Sequence, residues 1–465
     1  MRFVSTRQNA PETDLENVIL EGLAPDGGLY VPVSVPQFLT NEFEALKNTS
    51  FPKLASIIFG KFLSVGRETD EVCDIVANAY TGFSDPEIAP LVQLDDGLWV
   101  MELFHGPTYA FKDLALQVLA PLMDFFLQKQ DKELFVLCAT SGDTGGAALA
   151  SLNSIKNVRA LVLYPEGGVS KFQEQQMLNL SSSSCRAIPV RGSFDDCQRL
   201  VKELLGNQQL RQSYGLTAVN SVNWGRILAQ AVYYARASLE LSKDEQVIDF
   251  VVPTGNFGNA YSGLLAKRMG FPVGLVWVAN NENDTLHKAL ENGTYNPGRT
   301  IKTNTPAMDI QSPSNFERFI FDNDETKGKL ETRTFINQLA KTGKSKISED
   351  LLSRIRYAVR SQTVEAADTA RQIASIHSRT GYMVDPHTAL ALRVSEEDLT
   401  IERPRVVLAT AHPIKFSETV HEATGLSVDP PTKLTFSSIE ADVPASITPS
   451  IDAVFFKIAE IYNGS

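Results

Sequence analysis

The sequence predicts an α/β protein with parallel sheets, and three features indicate this class. Five short apolar runs are typical of buried parallel strands, and each leads directly into threonine, proline or asparagine. Longer segments with helical periodicity lie between these runs. The most distinctive polar residues follow the runs, at the strand ends where parallel sheets bind ligands. The predicted strands are residues 134–139, 159–164, 247–252, 273–279 and 405–409.

The remaining segments divide the chain further. Residues 1–95 contain few strand-like runs, and we interpret them as a separate N-terminal module. Residues 280–345 are rich in Asn, Thr, Pro and charge, which predicts a long irregular excursion. Asp385 and Pro386 have the residue types of a helix cap and first turn, so a helix is expected to begin there. Residues 431–465 form a polar C-terminal tail that closes with a short amphipathic helix.

The composition limits the classes of function. The 465 residues carry 43 basic and 55 acidic side chains, and the net charge of −12 argues against a nucleic-acid or anionic-membrane partner. The four cysteines and six histidines show no metal-ligand spacing, and free cysteines are typical of a reducing compartment. Residues 1–7 lack the apolar segment of a secretion signal, and no apolar run is long enough to span a membrane. We therefore expect a cytoplasmic protein without a metal.

Lys112 lies between apolar neighbours at the predicted start of a helix, within the segment FHGPTYAFKD. Loss of hydration lowers the pKa of a lysine, and its neutral amine is then a nucleophile. The alternative is a surface lysine in the first turn of a helix, beside an Asp113 that is favoured there by the helix dipole. This segment by itself leaves both interpretations open.

A glycine- and asparagine-rich turn follows the predicted strand at 247–252. It consists of Gly255, Asn256, Phe257, Gly258 and Asn259. Its glycines let backbone N–H groups approach an anion, and a following helix would direct its positive end at that anion. Because the turn lacks the lysine and hydroxyl of nucleotide triphosphate sites, a monophosphate is the favoured ligand. The alternative is a tight turn without a ligand.

The segment ATSGDTGGAA follows the strand at 134–139 and opens a helix of small residues, so its hydroxyl and N–H groups are suited to a carboxylate. The candidates are Ser141, Gly142, Asp143, Thr144 and Gly145. One alternative is a turn that only lets the helix pack against the sheet. Another is a trypsin-like protease, whose GDSGG is similar to GDTGG. We reject it because the serine nucleophile, the all-β chain and the usual disulfides are missing.

Two further segments carry candidate polar residues. In NSVNWGR, Ser221, Asn223 and Arg226 combine a hydroxyl, an amide and a guanidinium, and arginine is suited to phosphate. The alternative is a capped amphipathic helix with Arg226 in solvent. In LATAHPIKF, Thr410 offers a hydroxyl to a ring nitrogen and Lys415 offers a charge to a phosphate. The alternatives are a buried threonine at the strand end and a surface lysine.

Ten segments, in order between residues 22 and 416, closely resemble threonine synthases of the bacterial and fungal type. This family belongs to the fold type II pyridoxal phosphate enzymes. The segments read GLAPDGGLYVP, FHGPTYAFKD, ATSGDTGGAA, LYPEGGVS, GSFDDCQ, NSVNWGRILAQ, VPTGNFGN, PAMDIQSPSNFER, DPHTA and LATAHPIKF. Two places match less well: residues 412–416 read HPIKF where the family often has HPAKF, and the tail after about residue 430 matches poorly.

The resemblance implies a tryptophan synthase β-like fold. Residues 96–430 would form a larger and a smaller open parallel-sheet α/β domain, the smaller at approximately 115–230. It also implies pyridoxal 5'-phosphate as cofactor, with Lys112 as the catalytic lysine that binds it, Gly255 to Asn259 as the phosphate cup and Thr410 at the ring nitrogen. The substrate carboxylate would lie in the Ser141 to Gly145 loop. The candidates for the substrate phosphate are Ser221, Asn223, Arg226 and Lys415.

The implied reaction converts O-phospho-L-homoserine and water to L-threonine and phosphate, the last step of threonine biosynthesis. It proceeds by γ-elimination and addition of water at Cβ, in a carbon–oxygen lyase that is a monomer or weak homodimer. Two alternatives stay open: a threonine-synthase-like phospholyase that releases 2-oxobutyrate, and a catalytically silent homologue that binds a phospho-ligand. Threonine dehydratases and tryptophan synthase β-like enzymes are disfavoured because GLAPDGGLYVP and NSVNWGRILAQ are foreign to them.

Overall fold

The N-terminal segment folds as a helical layer around one antiparallel strand pair. The computed structural model describes residues 1–63, 67–243, 246–397, 403–431 and 440–463. In the first of these regions β1 pairs with β2 through Val4 and Val31. The elements are β1 (Phe3–Ser5), α1 (Leu15–Glu21), β2 (Tyr30–Pro32), α2 (Thr40–Lys47), α3 (Phe51–Lys61) and α4 (Arg67–Asn78).

A hairpin and a long helix connect this module to the rest of the chain. They are β3 (Leu91–Asp95), β4 (Leu98–Glu102) and α5 (Lys112–Gln130). β3 and β4 are antiparallel to each other, and β4 is paired on its other side within the largest sheet. β3 ends at the predicted module boundary at residue 95 and is already paired within that sheet.

The smaller sheet is fully parallel and has the strand order β7-β6-β5-β8. Its strands and helices alternate, as expected for right-handed crossovers between parallel strands. The elements are β5 (Leu134–Ala139), α6 (Asp143–Leu152), β6 (Val158–Pro165), α7 (Lys171–Asn179), β7 (Cys185–Val190), α8 (Phe194–Gly206), α9 (Gln208–Tyr214) and β8 (Leu216–Thr217). They lie within the predicted smaller domain at 115–230.

The larger sheet has six strands in the order β13-β10-β9-β14-β4-β3, and its pairs are parallel except for β3 with β4. The elements that build and cover it are α10 (Trp224–Leu241), β9 (Ile248–Pro253), α11 (Gly258–Arg268), β10 (Val273–Asn280), α12 (Thr285–Asn292), α13 (Phe316–Asn323), α14 (Leu330–Thr342), α15 (Glu349–Ala358), β13 (Val359–Thr363), α16 (Ala366–Thr380), α17 (Pro386–Ser395), β14 (Arg405–Ala409) and α18 (Ser417–Thr424). A separate antiparallel pair consists of β11 (Thr294–Tyr295) and β12 (Ser345–Lys346), and the last helix, α19 (Ile451–Asn463), packs on the smaller sheet. Short 3₁₀ turns lie at Pro306–Met308 and Pro413–Phe416.

The five predicted strands are confirmed as β5, β6, β9, β10 and β14. The predicted helix start is also confirmed, since the Asp385 side chain accepts hydrogen bonds from the first turn of α17. The excursion at 280–345 is less irregular than predicted. It contains α12, α13 and α14, whose buried faces include Leu286, Phe316 and Phe335.

The C-terminal tail covers the smaller sheet. Ile447 pairs with Val190 at the edge of that sheet, and the closing helix α19 is confirmed. Its residues Val454, Ile458 and Ile461 are buried in one cluster with the outer face of β5 and β6. The tail residues 432–439 and 464–465 lie outside the described part of the chain. Within the described part, none of the helices combines the length and apolarity needed to cross a membrane.

Candidate active site

A pocket lies where the carboxyl ends of strands from both large sheets meet. β5 leads into Thr140 and Ser141, β9 leads into Thr254 and Gly255, and β14 leads into Thr410. All five residues line this pocket. Strand ends of parallel sheets leave room for ligands because the chain must turn away there. The candidate residues predicted from the sequence follow these strand ends, and most of them line this one pocket.

Lys112 is the first residue of α5, and its side chain enters the pocket. The preceding backbone is fixed by the end of β14: Phe111 donates its N–H to the Thr410 carbonyl at 2.9 Å, and His412 donates its N–H to the Tyr109 carbonyl at 3.0 Å. Only 11% of the Lys112 side chain is exposed, and Nζ lies 4.7 Å from the centre of the Phe111 ring. The alternative of a surface lysine is therefore wrong.

The electrostatic surroundings favour a reactive amine at Lys112. Burial lowers its pKa below the usual range for lysine, and the carboxylate of Asp143, 3.1 Å from Nζ, acts in the opposite direction. The positive charges of Lys415 and Arg226 lower the pKa further. Because only the neutral form of an amine is a nucleophile or base, a lowered pKa increases the reactive fraction at neutral pH.

Asp143 is the first residue of α6 and makes contacts that differ from its predicted role. Its carboxylate accepts hydrogen bonds from Lys112, from Lys415 Nζ at 2.9 Å and from Gln173 Nε2 at 2.9 Å. Burial alone would raise its pKa, but the two ammonium groups hold the pKa well below the usual range. All these donors belong to the protein, and the contact of Asp143 with a substrate carboxylate stays a prediction.

Neither Lys415 nor Asn223, two candidates for the substrate phosphate, lines the pocket. Lys415 is fully buried, and its Nζ donates to the Thr108 carbonyl at 2.7 Å and to Gln176 Oε1 at 3.0 Å as well as to Asp143. Asn223 caps α10: its Oδ1 accepts from the Gly225 N–H, and its Nδ2 donates to the Ile19 carbonyl. These polar groups are bonded to protein, and their contact with a substrate phosphate stays a prediction.

The predicted turn after β9 forms a cup of backbone at the N-terminus of α11. All five of its residues line the pocket. Phe257 has a φ of +62°, which reverses the chain just before the helix begins at Gly258. The Phe257 ring packs against Phe316 and Phe319, so only its backbone serves the cup. A Cβ on residue 255 would lie 2.6 Å from the Ala307 carbonyl oxygen, so this position requires glycine.

Asn315, which the sequence did not single out, supports the cup from behind. Its Nδ2 donates to the carbonyls of Asn256 at 3.2 Å and Ser221 at 3.1 Å. Its Oδ1 accepts from the buried Arg318, whose Nε donates to the Tyr30 carbonyl at 3.0 Å. The cup is thereby connected to the N-terminal module through two side chains. A family motif contains both residues, but their tertiary partners could not be read from it.

Three buried polar atoms at the pocket have no hydrogen-bond partner within the described residues. They are Nδ2 of Asn259, Nε of Arg226 and Oδ1 of Asn220. The other side of Asn259 is fixed, since Oδ1 accepts from Tyr233 at 2.5 Å and Tyr234 at 2.8 Å. Buried polar groups in proteins are nearly always bonded, so these atoms point to a polar ligand.

Arg226 is buried in α10, with 2% of its surface exposed. Its Nη1 donates to the Val219 carbonyl at 3.1 Å, and burial lowers the pKa of the guanidinium to about 10. The alternative that placed Arg226 in solvent is wrong. Ser221 and Arg226 both line the pocket.

The loop before α6 places two hydroxyls at the pocket and uses its glycines for packing. Ser141 and Thr144 line the pocket. Gly142 has a φ of +125°, and a Cβ there would lie 2.3 Å from the Gln173 side chain. A Cβ on Gly145 would lie 2.5 Å from Sδ of Met177. The glycines therefore permit close packing, as one interpretation expects, while the binding of a carboxylate by the two hydroxyls stays a prediction.

His387 is a pocket residue that sequence reasoning missed, because its motif indicated only a helix start. Its Nε2 accepts a hydrogen bond from the Ala307 N–H at 3.3 Å, so Nδ1 carries the proton and donates it to Asp385 at 2.8 Å. The ring lies against Phe416 with centres 4.8 Å apart. His387 therefore fixes the segment at Ala307 that closes one side of the cup.

The pocket fits pyridoxal phosphate. That group needs an amine for its aldehyde, N–H donors for a phosphate and a polar partner for its ring nitrogen. Lys112, the cup at 255–259 and Thr410 supply these functions in one cavity. The unbonded Nδ2 of Asn259 adds a donor at the cup. In the described part of the chain, no group of three or more His, Cys, Asp or Glu side chains could hold a metal ion.

Comparison with known families gives three matches in sequence order. The model described as "Threonine synthase N terminus" matches residues 2–80, "Pyridoxal-phosphate dependent enzyme" matches 86–411, and "Threonine synthase, C-terminal" matches 388–445. The last match extends into the tail, which had been expected to match the family poorly after residue 430.

Individual proteins give the same result. A threonine synthase from Pseudomonas aeruginosa is 38% identical, and the alignment covers 90% of each chain. A crystal structure described as PLP-bound threonine synthase from Brucella melitensis superposes with a TM-score of 0.92 at 37% identity, covering 99% of both chains. Threonine synthase from yeast superposes with a TM-score of 0.91 at 33% identity, covering 100% of this chain and 99% of the other.

Proposed function

Because the chain belongs to the threonine synthase family of pyridoxal-phosphate-dependent enzymes, we propose that it converts O-phospho-L-homoserine and water to L-threonine and phosphate. One observation carries this proposal. The nucleophilic Lys112, the phosphate cup at 255–259 and the buried Arg226 all line a single pocket. The pocket thus offers the cup to a phosphate on the cofactor and Arg226 to a phosphate on the substrate.

The cofactor, when bound, supplies an electron sink for the Cα of an amino acid. Lys112 supplies the amine that holds it. The lowered pKa of Lys112 also leaves a neutral nitrogen that accepts the proton from Cα. Thr410, which lines the same pocket, would offer its hydroxyl to the ring nitrogen, and a hydroxyl would not hold that nitrogen protonated as a carboxylate would.

The substrate is held at both ends. Ser141 and Thr144, at the positive N-terminus of α6, are suited to the α-carboxylate. Arg226 and Ser221 also line the pocket and are suited to the phosphate that leaves from Cγ. Water then adds at Cβ, which distinguishes a synthase from a phospholyase.

The central test is the replacement of Lys112 by alanine. The variant should lose both turnover and the visible absorbance band that the wild type shows with bound cofactor, because no other amine replaces the covalent link. Lys129→Ala is a matched control, since Lys129 lies in the last turn of the same helix and its side chain is 42% exposed. A Lys112→Ala protein that keeps the band and full turnover contradicts the assignment.

A product assay separates the proposed reaction from its alternatives. Phosphate and threonine should appear in equal amounts from O-phospho-L-homoserine. Release of 2-oxobutyrate in place of threonine identifies a phospholyase. Retention of ligand without any product, in a protein that shows no visible band with added cofactor, identifies a silent homologue.

The remaining expectations about partners concern the whole protein. We propose a cytoplasmic enzyme that acts on a small-molecule substrate as a monomer or weak homodimer, without nucleic-acid or membrane partners. The net charge of −12 supports the exclusion of polyanionic partners, and four free cysteines suit a reducing compartment. Size-exclusion chromatography with light scattering measures the oligomeric state.

A further inference from the structure

We infer that Asp143, anchored by Lys415, is a positioning residue that binds Nζ of Lys112 whenever this nitrogen is not bonded to the cofactor. The inference depends on the proposed function only in taking Lys112 as the cofactor lysine. It gives Asp143 a role toward the enzyme's own amine instead of a role toward the substrate.

The geometry places one carboxylate between two buried ammonium groups. Oδ2 of Asp143 lies 3.1 Å from Lys112 Nζ, and Oδ1 lies 2.9 Å from Lys415 Nζ. Gln173 adds a third donor to Oδ1 at 2.9 Å. The Asp143 side chain is only 4% exposed, so water scarcely competes for these contacts. Each oxygen of the carboxylate thus serves a different lysine.

The Lys415 end of this bridge is rigid. Its Nζ makes two further hydrogen bonds, to the Thr108 carbonyl at 2.7 Å and to Gln176 Oε1 at 3.0 Å. Its own carbonyl accepts from Ser170 Oγ at 2.8 Å, at the cap of α7. A buried ammonium with a full set of acceptors does not move. Asp143 is therefore held in place independently of Lys112.

The charges around Lys112 show why such an anchor is needed. Its ammonium form faces two other cations, Lys415 and Arg226, in a desolvated pocket. Asp113 lies next to it in sequence, but its carboxylate accepts from the Thr108 N–H at 2.7 Å and Oγ1 at 2.6 Å. Among the described residues, Asp143 is the carboxylate paired with Lys112. Without it, a protonated Lys112 has no counter-ion.

This arrangement matters each time Lys112 accepts a proton from Cα. The proton passes to Nζ, the amine becomes an ammonium, and Asp143 remains an anion that receives this charge. Lys415 offsets part of the Asp143 charge, so the pair does not hold the Lys112 proton too strongly. The lysine stays close to the reacting carbon and remains able to return the proton.

The test measures the pKa of Lys112 by chemical labelling of the full-length chain after removal of the cofactor. The protein is treated with a trace of acetic anhydride between pH 6 and 11, and acetylation of Lys112 is quantified by mass spectrometry. Asp143→Asn should lower the labelling pKa by about one unit or more, because it removes an opposite charge in contact. Lys415→Met should raise it by a similar amount, because it removes a like charge and frees the Asp143 carboxylate for Lys112.

Opposite shifts are not expected of residues that only support folding. Asp113→Asn is the matched control: it removes a neighbouring buried carboxylate that does not contact Lys112 and should shift the labelling pKa less than Asp143→Asn. Circular dichroism verifies folding of each variant. If Lys415→Met does not fold, the double variant Asp143→Asn, Lys415→Met replaces it, and its Lys112 pKa should lie above that of Asp143→Asn.

A kinetic comparison in the loaded enzyme completes the test. Asp143→Asn should lower kcat with little change in KM, whereas a residue that binds substrate raises KM. An unchanged labelling pKa in Asp143→Asn, or shifts of the same sign in both single variants, overturns the inference. The labelling needs no substrate, so a protein that fails to make threonine but shows the opposite shifts disproves only the proposed function.

Discussion

Arg226 is a buried guanidinium without an anionic partner in the described part of the chain. Its Nη1 donates to the Val219 carbonyl, and Nε has no partner there. Burying a charge without a counter-ion is costly, so proteins rarely keep such a group unless it binds something. This free-energy cost favours a role for Arg226 in binding the phosphate of a substrate.

Replacement of Arg226 by glutamine should therefore raise KM for the phosphorylated substrate. A charged hydrogen bond contributes about 1.5–3 kcal/mol, which corresponds to a KM increase of roughly 10- to 100-fold. Arg226→Lys keeps a positive charge, so its KM should lie between those of the wild type and Arg226→Gln. Steady-state kinetics provide the measurement, and the visible band should persist in both variants. An unchanged KM in Arg226→Gln excludes this residue from the phosphate site.

Thr410 offers a second test at the level of one hydroxyl. Thr410→Val keeps the shape of the side chain at the end of β14 but removes the oxygen. We expect the dissociation constant of the cofactor to rise about 5- to 10-fold, equivalent to about 1 kcal/mol. Thr410→Ser should bind as the wild type does. Titration of cofactor-free protein by absorbance measures both, and equal affinity of valine and threonine forms contradicts a contact with the ring nitrogen.

Single residues were predictable from the sequence where their role depends on their position at a strand end. Thr410 and the cup fall in this class, and Lys112 was found instead from its apolar neighbours at a predicted helix start. The roles of Asp143, Asn223 and Lys415 depend on partners far away in sequence. Lys415 Nζ, for example, bonds to the Thr108 carbonyl 307 positions earlier. A motif shows that such residues accompany the site, but it does not show which atoms they contact.

The phosphate cup is an element whose shape depends on close backbone approach. A Cβ at residue 255 would lie 2.6 Å from the Ala307 carbonyl oxygen and 2.9 Å from Cδ1 of Ile310. The facing segment is itself held, since the Ala307 N–H donates to His387 and Asn315 bonds to the Asn256 carbonyl. The cup and the segment at Ala307 therefore cannot move apart without breaking hydrogen bonds.

Gly255→Ala should therefore abolish tight cofactor binding while most of the fold survives. We expect the affinity for the cofactor to fall by at least about 10-fold, since displacement of the cup costs more than one hydrogen bond. Gly298→Ala is the matched control, because nothing lies within 4 Å of a Cβ at that position. Absorbance titration gives the affinity and circular dichroism the fold. Normal cofactor binding by Gly255→Ala would falsify the role of this close contact.

Strand prediction failed at the sheet edges for a physical reason. β7 and β13 each lie at one end of a sheet, and neither forms a continuous apolar run. β13 reads VRSQT, with Arg360 exposed, and β7 contains Pro189 and the partly exposed Arg186. Edge strands are solvated on one side and tolerate proline, so their sequences lack the pattern of buried central strands. The interior strands β5, β6, β9, β10 and β14 were predictable, whereas β4, which lies between β14 and β3, was not predicted.

At the scale of the whole molecule, segments that are far apart in sequence pack together around the candidate active site. Arg318 connects the Tyr30 carbonyl of the N-terminal module to Asn315 behind the cup. The C-terminal helix α19 completes the core beneath the smaller sheet. Both terminal segments, which match family models of their own, therefore contribute to the framework around one pocket.

Acid stability of the whole protein should depend on His412, which follows the strand β14 beside the site. Burial lowers the pKa of His412 to about 4, an effect that the Glu102 carboxylate opposes and His105 reinforces. In the unfolded chain this histidine titrates near pH 6.5. Between these values the unfolded state binds a proton that the folded state does not, so stability falls as the pH decreases from about 6.5 to 4.

His412→Asn isolates this contribution. Asparagine can still accept the Ile414 N–H, which His412 Nδ1 accepts at 3.2 Å, but it does not titrate. Between pH 7 and pH 4 the wild type should lose up to about 3 kcal/mol of unfolding free energy more than the variant. Asp113 has the opposite effect: burial raises its pKa to about 6, so its protonation on acidification stabilises the folded protein. This effect is the same in both proteins and cancels when they are compared. Urea unfolding at each pH gives the free energies, and parallel curves for the two proteins would show that His412 is not buried in its neutral form.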